Sequence, residues 1–210
     1  MIKLAYCDVS NLDLDKAYES LPENRKEKVK HFRFEKDKKL SAGAYLLLDK
    51  LLKEENITEP AFKTGKYGKA YISNFENIHF NLSHSGKLVS CAISDAEVGV
   101  DVEFNDPSID LDIAKHYFYN SEYESIMNSE NPSDEFFKYW VLKESYMKYT
   151  GLGFNLDLDS FEILINEKIR LKNDKNNLEF SLFNVDEYKM AVCSKYNVDK
   201  YFTYSANELL

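Results

Sequence analysis

The clearest pattern in the chain is an apolar stripe between residues 37 and 54. Its aliphatic side chains recur at spacings of three and four, which gives one apolar face to a helix: Leu40, Ala44, Leu47, Leu48, Leu51 and Leu52. A basic segment, residues 23–33, follows Pro22 and predicts a second helix in this part of the chain.

Short β-prone runs separated by turn residues occur both before and after the middle of the chain. Before it, they predict strands at 2–9, 78–83, 88–94 and 98–104, with a strand or hairpin at 62–72. After it, they predict strands near 161–165, 168–172, 178–183, 188–193 and 199–204. Because most connections are short, we expect antiparallel pairing.

The helical pattern returns after residues 105–108, "NDPS", which we take as a domain boundary. Residues 109–130 and 133–149 are predicted to be helical, with Ser133 as N-cap and Gly151 as C-cap. The sequence therefore predicts an α+β protein with two halves, 1–104 and 105–210, each holding helices and an antiparallel sheet.

Composition and charge narrow the function. The chain has 210 residues, 44% of them hydrophobic, and a net charge of −9, which argues against general nucleic-acid binding. A local basic pocket for one phosphorylated ligand remains compatible with this charge.

The three cysteines, Cys7, Cys91 and Cys193, lie far apart and are expected to be buried, reduced thiols. With no long apolar run at the N-terminus or elsewhere, we expect a cytoplasmic protein without a membrane segment.

The stretch "GVDVE", residues 99–103, is the first candidate for chemistry. Residues two apart on a strand share a face, so Asp101 and Glu103 project together, about 6.5 Å apart. Two carboxylates on one face repel unless a cation or a proton lies between them, and Mg²⁺ is a natural partner. The alternative is an ordinary solvated strand face.

The predicted helix 133–149 adds a third acidic side chain. Trp140, Glu144 and Lys148 follow one another at intervals of four and lie on one face. Glu144 borders the apolar face, where a carboxylate needs a partner, so it is a candidate third metal ligand. The alternative is a surface ion pair between Glu144 and Lys148.

The segment "FNLSHSG", residues 80–86, ends a strand in short hydroxyl residues and a turn, which can donate hydrogen bonds to a phosphate. Ser83 and His84 are the candidates. Neighbours on a strand point to opposite faces, so they do not form a nucleophile and base pair. His84 as a structural turn residue is the alternative.

These motifs, with "GKA" at 68–70 and "FFKYWVLKESYMKYTGLGF" at 136–154, stand in the order found in 4′-phosphopantetheinyl transferases. The chain resembles the surfactin-synthetase-activating, long-chain branch of that family over nearly its whole length. The resemblance implies a pseudo-dimer of two similar α+β halves, with the active site in the cleft between them. The shorter branch of the family assembles half-length chains as trimers, and the length of this chain argues against that branch. We expect a monomer.

The resemblance also implies an activity: Mg²⁺-dependent transfer of the phosphopantetheine arm of coenzyme A to a serine of an apo acyl- or peptidyl-carrier protein. By motif, Asp101, Glu103 and Glu144 would be the metal ligands, and Glu144 the base. Residues implied to contact coenzyme A are Lys148, His84, Ser83, Lys69, Arg25 and Lys28.

Two positions depart from the family pattern. Ala70 replaces the proline that usually follows the Gly-Lys pair, and Leu40 occupies the position where the family commonly has an arginine for the 3′-phosphate. Lys38 and Lys39 are the nearest cations, and a lysine is not equivalent to an arginine fork.

Two other interpretations remain. The chain could be a degenerate module that binds coenzyme A or a carrier without turnover, or a regulatory protein that binds Mg²⁺ and a nucleotide. The aromatic segment 109–126 could dock the carrier through Ile113, Tyr117, Phe118 and Tyr119, or these side chains could pack in a core.

Overall fold

The first of two sheets is built from β1 (Ile2–Asp8), β4 (His79–Ser85) and β5 (Leu88–Ser94) in a computed structural model that describes residues 2–210. β1 pairs antiparallel with β5 along its whole length. β5 forms a hairpin with β4 across the two-residue turn Gly86–Lys87. Gly86 has φ of 59°, a left-handed conformation that glycine adopts without strain.

The second sheet repeats this arrangement with β6 (Val98–Phe104), β9 (Glu179–Val185) and β10 (Tyr188–Ser194). β6 pairs antiparallel with β10 over seven residues, and β10 forms a hairpin with β9. The turn between them again has two residues, and Asp186 in it has φ of 50°. The two sheets therefore share strand order and pairing.

The helices and two small strand pairs complete the repeat. Each half runs from its first strand through three helices and a two-stranded pair to its hairpin. In chain order the helices are α1 (Leu14–Ser20), α2 (Glu23–Lys30), α3 (Glu35–Glu54), α4 (Asp112–Tyr117), α5 (Asn120–Met127) and α6 (Pro132–Thr150). The pairs are β2 (Phe62–Thr64) with β3 (Ala70–Ile72), and β7 (Ile163–Ile165) with β8 (Ile169–Leu171). The predicted α+β pseudo-dimer is confirmed.

The last strand, β11 (Phe202–Tyr204), returns to the first sheet and lies parallel to β1, outside the expected antiparallel pattern. Each half begins with the strand that pairs with its hairpin, and by this repeat β6 is the first strand of the second half. The boundary predicted after Phe104 instead assigns β6 to the first half. That boundary between folding units stays a prediction.

Several local predictions need correction. Helix α1 was not predicted, although Asp13 caps it by accepting from the amides of Asp15 and Lys16. The N-cap of α6 is Asn131 rather than Ser133, because Pro132 at the first helical position moves the start forward. The predicted helix at 109–130 is two helices, since Phe118 is extended. Gly151 is the left-handed C-cap of α6, as predicted.

The apolar stripe of α3 packs on the first sheet, where Leu47 and Leu51 are fully buried. All three cysteines are free and buried, as expected. Helix α6 packs on β6 and β10 of the second sheet. The contact is closest at Gly99, where an added Cβ would lie 2.0 Å from the carbonyl oxygen of Ser145 and 2.4 Å from the amide nitrogen of Tyr149.

Gly99→Ala should therefore destabilise the fold by about 3 kcal/mol. The added methyl group would collide with the backbone of α6, which cannot move aside as a flexible side chain could. Denaturant unfolding of the variant and the parent chain measures the change. Gly65→Ala is the control, since its Cβ would lie 3.3 Å from a loop carbonyl oxygen. Equal losses for the two variants would contradict this account of Gly99.

Candidate active site

Asp101 lies at the centre of a buried polar group between the two halves. It is 2% exposed on β6. Its Oδ1 accepts from Ser83 Oγ on β4 at 2.8 Å and from Lys148 Nζ on α6 at 2.7 Å. Lys148 Nζ also donates to Ser83 Oγ at 2.8 Å. Asp101 Oδ2 is buried and has no hydrogen-bond partner, so one lone-pair face of this carboxylate is unsatisfied.

Glu103 lies two residues further along β6, on the same face as Asp101. Its Oε2 accepts from Ser85 Oγ at 2.6 Å. Burial raises the pKa of Glu103 to about 7, with repulsion from Asp101 adding to the effect and the Ser85 bond opposing it. The carboxyl group therefore holds a proton more tightly than an exposed glutamate would.

Glu144 approaches the same face from α6. Its Oε1 is buried without a hydrogen-bond partner. Burial and the charge of Asp101 raise the pKa of Glu144, against the positive charge of Lys148. Two separate elements thus direct three acidic side chains toward one region, with Lys148 as the cation among them.

In residues 2–210, no three His, Cys, Asp or Glu side chains are already arranged to hold a metal ion. The donor chemistry nevertheless fits a hard cation. Asp101 Oδ2 and Glu144 Oε1 are buried oxygen acceptors without donors, and burial together with repulsion from Asp101 raises the pKa of both Glu103 and Glu144. A divalent cation would remove both the repulsion and the unsatisfied oxygens.

Side chains of β4 alternate between the two faces of the strand, so one set points to this site and the other to a neighbouring groove. Ser83 and Ser85 face β6, while Phe80 and Leu82 line the groove on the other face. His84 is exposed, in step with Phe80 and Leu82. Desolvation by neighbouring protein atoms lowers the pKa of His84, and the charge of Lys148 lowers it further. The imidazole is thus predominantly neutral at pH 7.

The groove has a volume of about 700 Å³ and combines basic and aromatic side chains. Arg25 and Lys28 of α2 lie on one wall, and Lys63 of β2 lies on another. The Arg25 guanidinium lies over the Tyr45 ring, 5.0 Å from its centroid, and its Nε is buried without a partner. The groove therefore combines positive charge with aromatic and apolar side chains.

The remaining predicted positions lie around this region. The Lys69 ammonium donates to Glu97, Val98 and Tyr149, all within the protein. Leu40 is buried in the first core and lines a small cavity beside Lys36 and Lys39, where its aliphatic side chain offers no hydrogen bond to a phosphate. Lys39 Nζ donates to the Ser10 carbonyl oxygen at 2.9 Å and pairs with Glu35 at 3.0 Å.

Comparison with known proteins identifies the family. A family model described as the 4′-phosphopantetheinyl transferase superfamily matches residues 97–193, and one described as 4′-phosphopantetheinyl transferase, N-terminal, matches residues 8–96. A 4′-phosphopantetheinyl transferase of Bacillus subtilis is 30% identical over 190 residues, 86% of this chain and 84% of the relative. The chain belongs to the 4′-phosphopantetheinyl transferase superfamily.

Other curated relatives in this superfamily agree. The transferase ffp of Bacillus subtilis is 31% identical over 196 residues, 89% of this chain and 87% of the relative. The transferase Sfp of Bacillus subtilis (strain 168) is 37% identical over 140 residues, 63% of this chain and 62% of that relative. The predicted resemblance to the Sfp-type transferases is confirmed, and with it the expectation of a transferase enzyme at the level of the family.

The structure brings together four of the predicted site residues of this transferase family member, Asp101, Glu144, Lys148 and Ser83, and places Glu103 beside them. Their roles stay predictions. Ser85 was missed in the sequence, although the spacing Ser83–Ser85 matches that of Asp101–Glu103 and could have indicated a second hydroxyl–carboxylate pair.

Of the aromatic segment, Phe118 is buried and stacks on Phe136, whereas Tyr117 is exposed. No helix within residues 2–210 is long and apolar enough to cross a membrane.

Mg²⁺ should stabilise the folded chain more at pH 8 than at pH 6. The pKa of Glu103 is 4.5 in its ordinary state and about 7 in the folded protein. Between pH 4.5 and pH 7, the folded state therefore holds a proton on Glu103 that a bound cation must displace. Above pH 7 the carboxylate is free to bind, and binding to the folded state alone raises Tm, by about 2–4 °C for each 1 kcal/mol.

Thermal unfolding with and without Mg²⁺, at both pH values, measures this difference. Asp101→Asn is the matched variant, because it keeps the side-chain shape and removes the charge, and it should lose the Mg²⁺-dependent shift. A shift of the same size at pH 6 and pH 8, or in Asp101→Asn, would contradict the placement of the cation.

Proposed function

We propose that this chain transfers the 4′-phosphopantetheine arm of coenzyme A to a serine of an apo acyl- or peptidyl-carrier protein, with Mg²⁺, releasing adenosine 3′,5′-bisphosphate. The observation that carries the proposal is the convergence of Asp101, Glu144 and Lys148 next to a basic, aromatic groove. The cytoplasmic location and the monomeric state stay predictions.

Asp101, Glu103 and Glu144 would hold Mg²⁺, since two of them present unsatisfied buried oxygens and all three carry oxygen ligands of the kind that Mg²⁺ prefers. When bound, Mg²⁺ would neutralise the negative charge of the diphosphate during transfer. Ser83 and Ser85 orient the two β6 carboxylates through hydrogen bonds at 2.8 and 2.6 Å.

The basic side chains would bind the phosphates of coenzyme A. Lys148 already lies 2.7 Å from Asp101 Oδ1, so its ammonium is held at the site where the diphosphate must approach the carboxylates. His84 would donate to a phosphate oxygen from the opposite face of β4. Arg25 and Lys28 would bind phosphate at the groove, where the Arg25 Nε has an unused donor.

Glu144 would accept the proton of the carrier serine, directly or through a water. Burial and the charge of Asp101 raise its pKa in the metal-free protein, and a cation bound to the same carboxylate would lower it again, so the route through a water is favoured. As the serine oxygen bonds to the β-phosphorus, the bond to the bisphosphate oxygen breaks, and that oxygen carries the developing negative charge. Lys148 is the side chain that would stabilise this charge.

The deciding experiment mixes the purified chain with an apo carrier protein, coenzyme A and Mg²⁺, and weighs the carrier by mass spectrometry. A gain of one phosphopantetheine group supports the proposal. A carrier that binds without gaining mass shows a binding module, and a chain that binds coenzyme A and Mg²⁺ but no carrier shows a regulatory nucleotide-binding protein. A panel of apo carriers from fatty-acid, polyketide and peptide synthesis identifies the partner.

Two variants should separate the roles within the site. Asp101→Ala should reduce kcat about a thousandfold or more, because it removes a metal ligand worth several kcal/mol, while the fold survives. Lys148→Ala should raise the KM for coenzyme A about tenfold or more, the effect of losing a bond to a charged group, and should also lower kcat, because its ammonium would stabilise the leaving oxygen. Steady-state kinetics measures both.

Asp15→Ala is the control for these variants, since it removes one exposed negative charge from α1. Full activity of Asp101→Ala would remove Asp101 from the site. An unchanged KM in Lys148→Ala would remove its role in binding coenzyme A.

The buried Leu40 predicts weak recognition of the 3′-phosphate. Lys39 is held by Ser10 and Glu35, so it does not replace a free arginine fork. We expect kcat/KM for coenzyme A to exceed that for dephospho-coenzyme A by less than about tenfold, or 1.4 kcal/mol. Competition between the two substrates measures the ratio, and a hundredfold preference for coenzyme A would refute the expectation.

A further inference from the structure

Lys69 has a position that its expected role in binding coenzyme A does not explain. It ends the turn between β2 and β3, where its carbonyl oxygen accepts from the Gly65 amide at 2.8 Å. Its side chain then leaves this hairpin and runs across the C-terminus of α6. Gly151 leaves room for it, since an added Cβ there would lie 3.2 Å from Lys69 Cδ.

The Lys69 ammonium donates to three acceptors on two other elements. They are Glu97 Oε2 at 2.7 Å, the Val98 carbonyl oxygen at 3.1 Å and the Tyr149 carbonyl oxygen at 3.1 Å. An ammonium group has three N–H donors, so all of them are used within the protein. The Tyr149 carbonyl lies in the last turn of α6, where it lacks a helical partner and favours a cation.

These acceptors stand next to the point where α6 and β6 are closest. Val98 precedes Gly99, and Tyr149 follows Lys148 in the chain. The amide of Tyr149 is the one that an added Cβ on Gly99 would meet at 2.4 Å. Asp101 lies three residues from Val98, so a shift between strand and helix at this point would move the acids relative to one another.

Glu97 is itself oriented by a second contact. His79 Nδ1 lies 3.0 Å from Glu97 Oε1, while the other carboxylate oxygen accepts from Lys69. Partial burial works to raise the pKa of Glu97, but the bond and the charge of Lys69 lower it on balance. The carboxylate is therefore ionised near neutral pH and keeps Lys69 in place.

We propose that Lys69 is a positioning residue for the transfer reaction: its ammonium ties the first residue of β6 to the last turn of α6 and thereby sets the distance between Asp101 and the pair Glu144 and Lys148. This inference rests on the proposed function for its kinetic part only. A ligand contact by the same ammonium would require at least one of its three bonds to break.

Three variants test this role. Lys69→Met keeps the aliphatic stem and removes all three donors, and Glu97→Gln keeps an acceptor but removes its charge. Lys66→Met is the matched control, because Lys66 is an exposed lysine of the same turn whose ammonium lies over the Tyr67 ring. The measurements are kcat, the KM for coenzyme A, and amide hydrogen exchange at residues 98–101 and 145–150.

Lys69→Met should lower kcat about tenfold, since small displacements of catalytic groups are costly, and leave the KM for coenzyme A within about twofold. Exchange at both segments should become about tenfold faster. Glu97→Gln should change both readouts in the same direction by a smaller factor, and Lys66→Met should change neither.

A tenfold rise in the KM for coenzyme A with unchanged kcat would make Lys69 a ligand contact and overturn the proposal. Unchanged exchange in Lys69→Met would overturn it as well, whatever the kinetics. If the parent chain transfers nothing to any carrier, the proposed function fails, and the exchange data alone still decide whether Lys69 ties β6 to α6.

Discussion

The site depends on backbone contact between one strand and one helix. At Gly99 the chain of β6 lies so close to α6 that no side chain fits between them. Every acidic residue of the site is on one of these two elements, and so is Lys148. Because the contact is between backbones, it limits how closely the two elements approach, while the bonds of Lys69 join them near the same point. The side chains of β4 then complete the site from the other half through Ser83 and Ser85.

This arrangement places like charges together in a buried region, which lowers the stability of the metal-free folded state. Lys148 and Ser83 satisfy one oxygen of Asp101, and Ser85 satisfies one oxygen of Glu103. Asp101 Oδ2 and Glu144 Oε1 remain without donors. A fold selected only for stability would replace such groups by apolar side chains, so their presence here is a sign of ligand chemistry.

Much of the fold could be predicted because its signals are local. The stripe around Leu47 predicts α3, and the short connections predict the hairpins. The pairing of β11 with β1 joins segments almost two hundred residues apart, and no local pattern encodes it. For the site, spacing placed Asp101 beside Glu103 and Glu144 beside Lys148, and the family motifs added their expected roles. The three acceptors of Lys69 could not be predicted, since two of them are backbone carbonyls and any residue type supplies those.

The repeat also explains why the chain would have one active site rather than two. By strand register, Asp101 and Glu103 of β6 correspond to Ala5 and Cys7 of β1. Ser83 and Ser85 of β4 correspond by hairpin register to the apolar Phe183 and Val185 of β9. Ala5 and Cys7 are fully buried in the first core, and Val185 and Phe183 pack in a separate apolar cluster. The second copy of these positions thus carries apolar side chains. The first copy carries the charged and hydroxyl side chains. Only one of the two equivalent positions can therefore bind a ligand, while the other contributes to the stability of the fold.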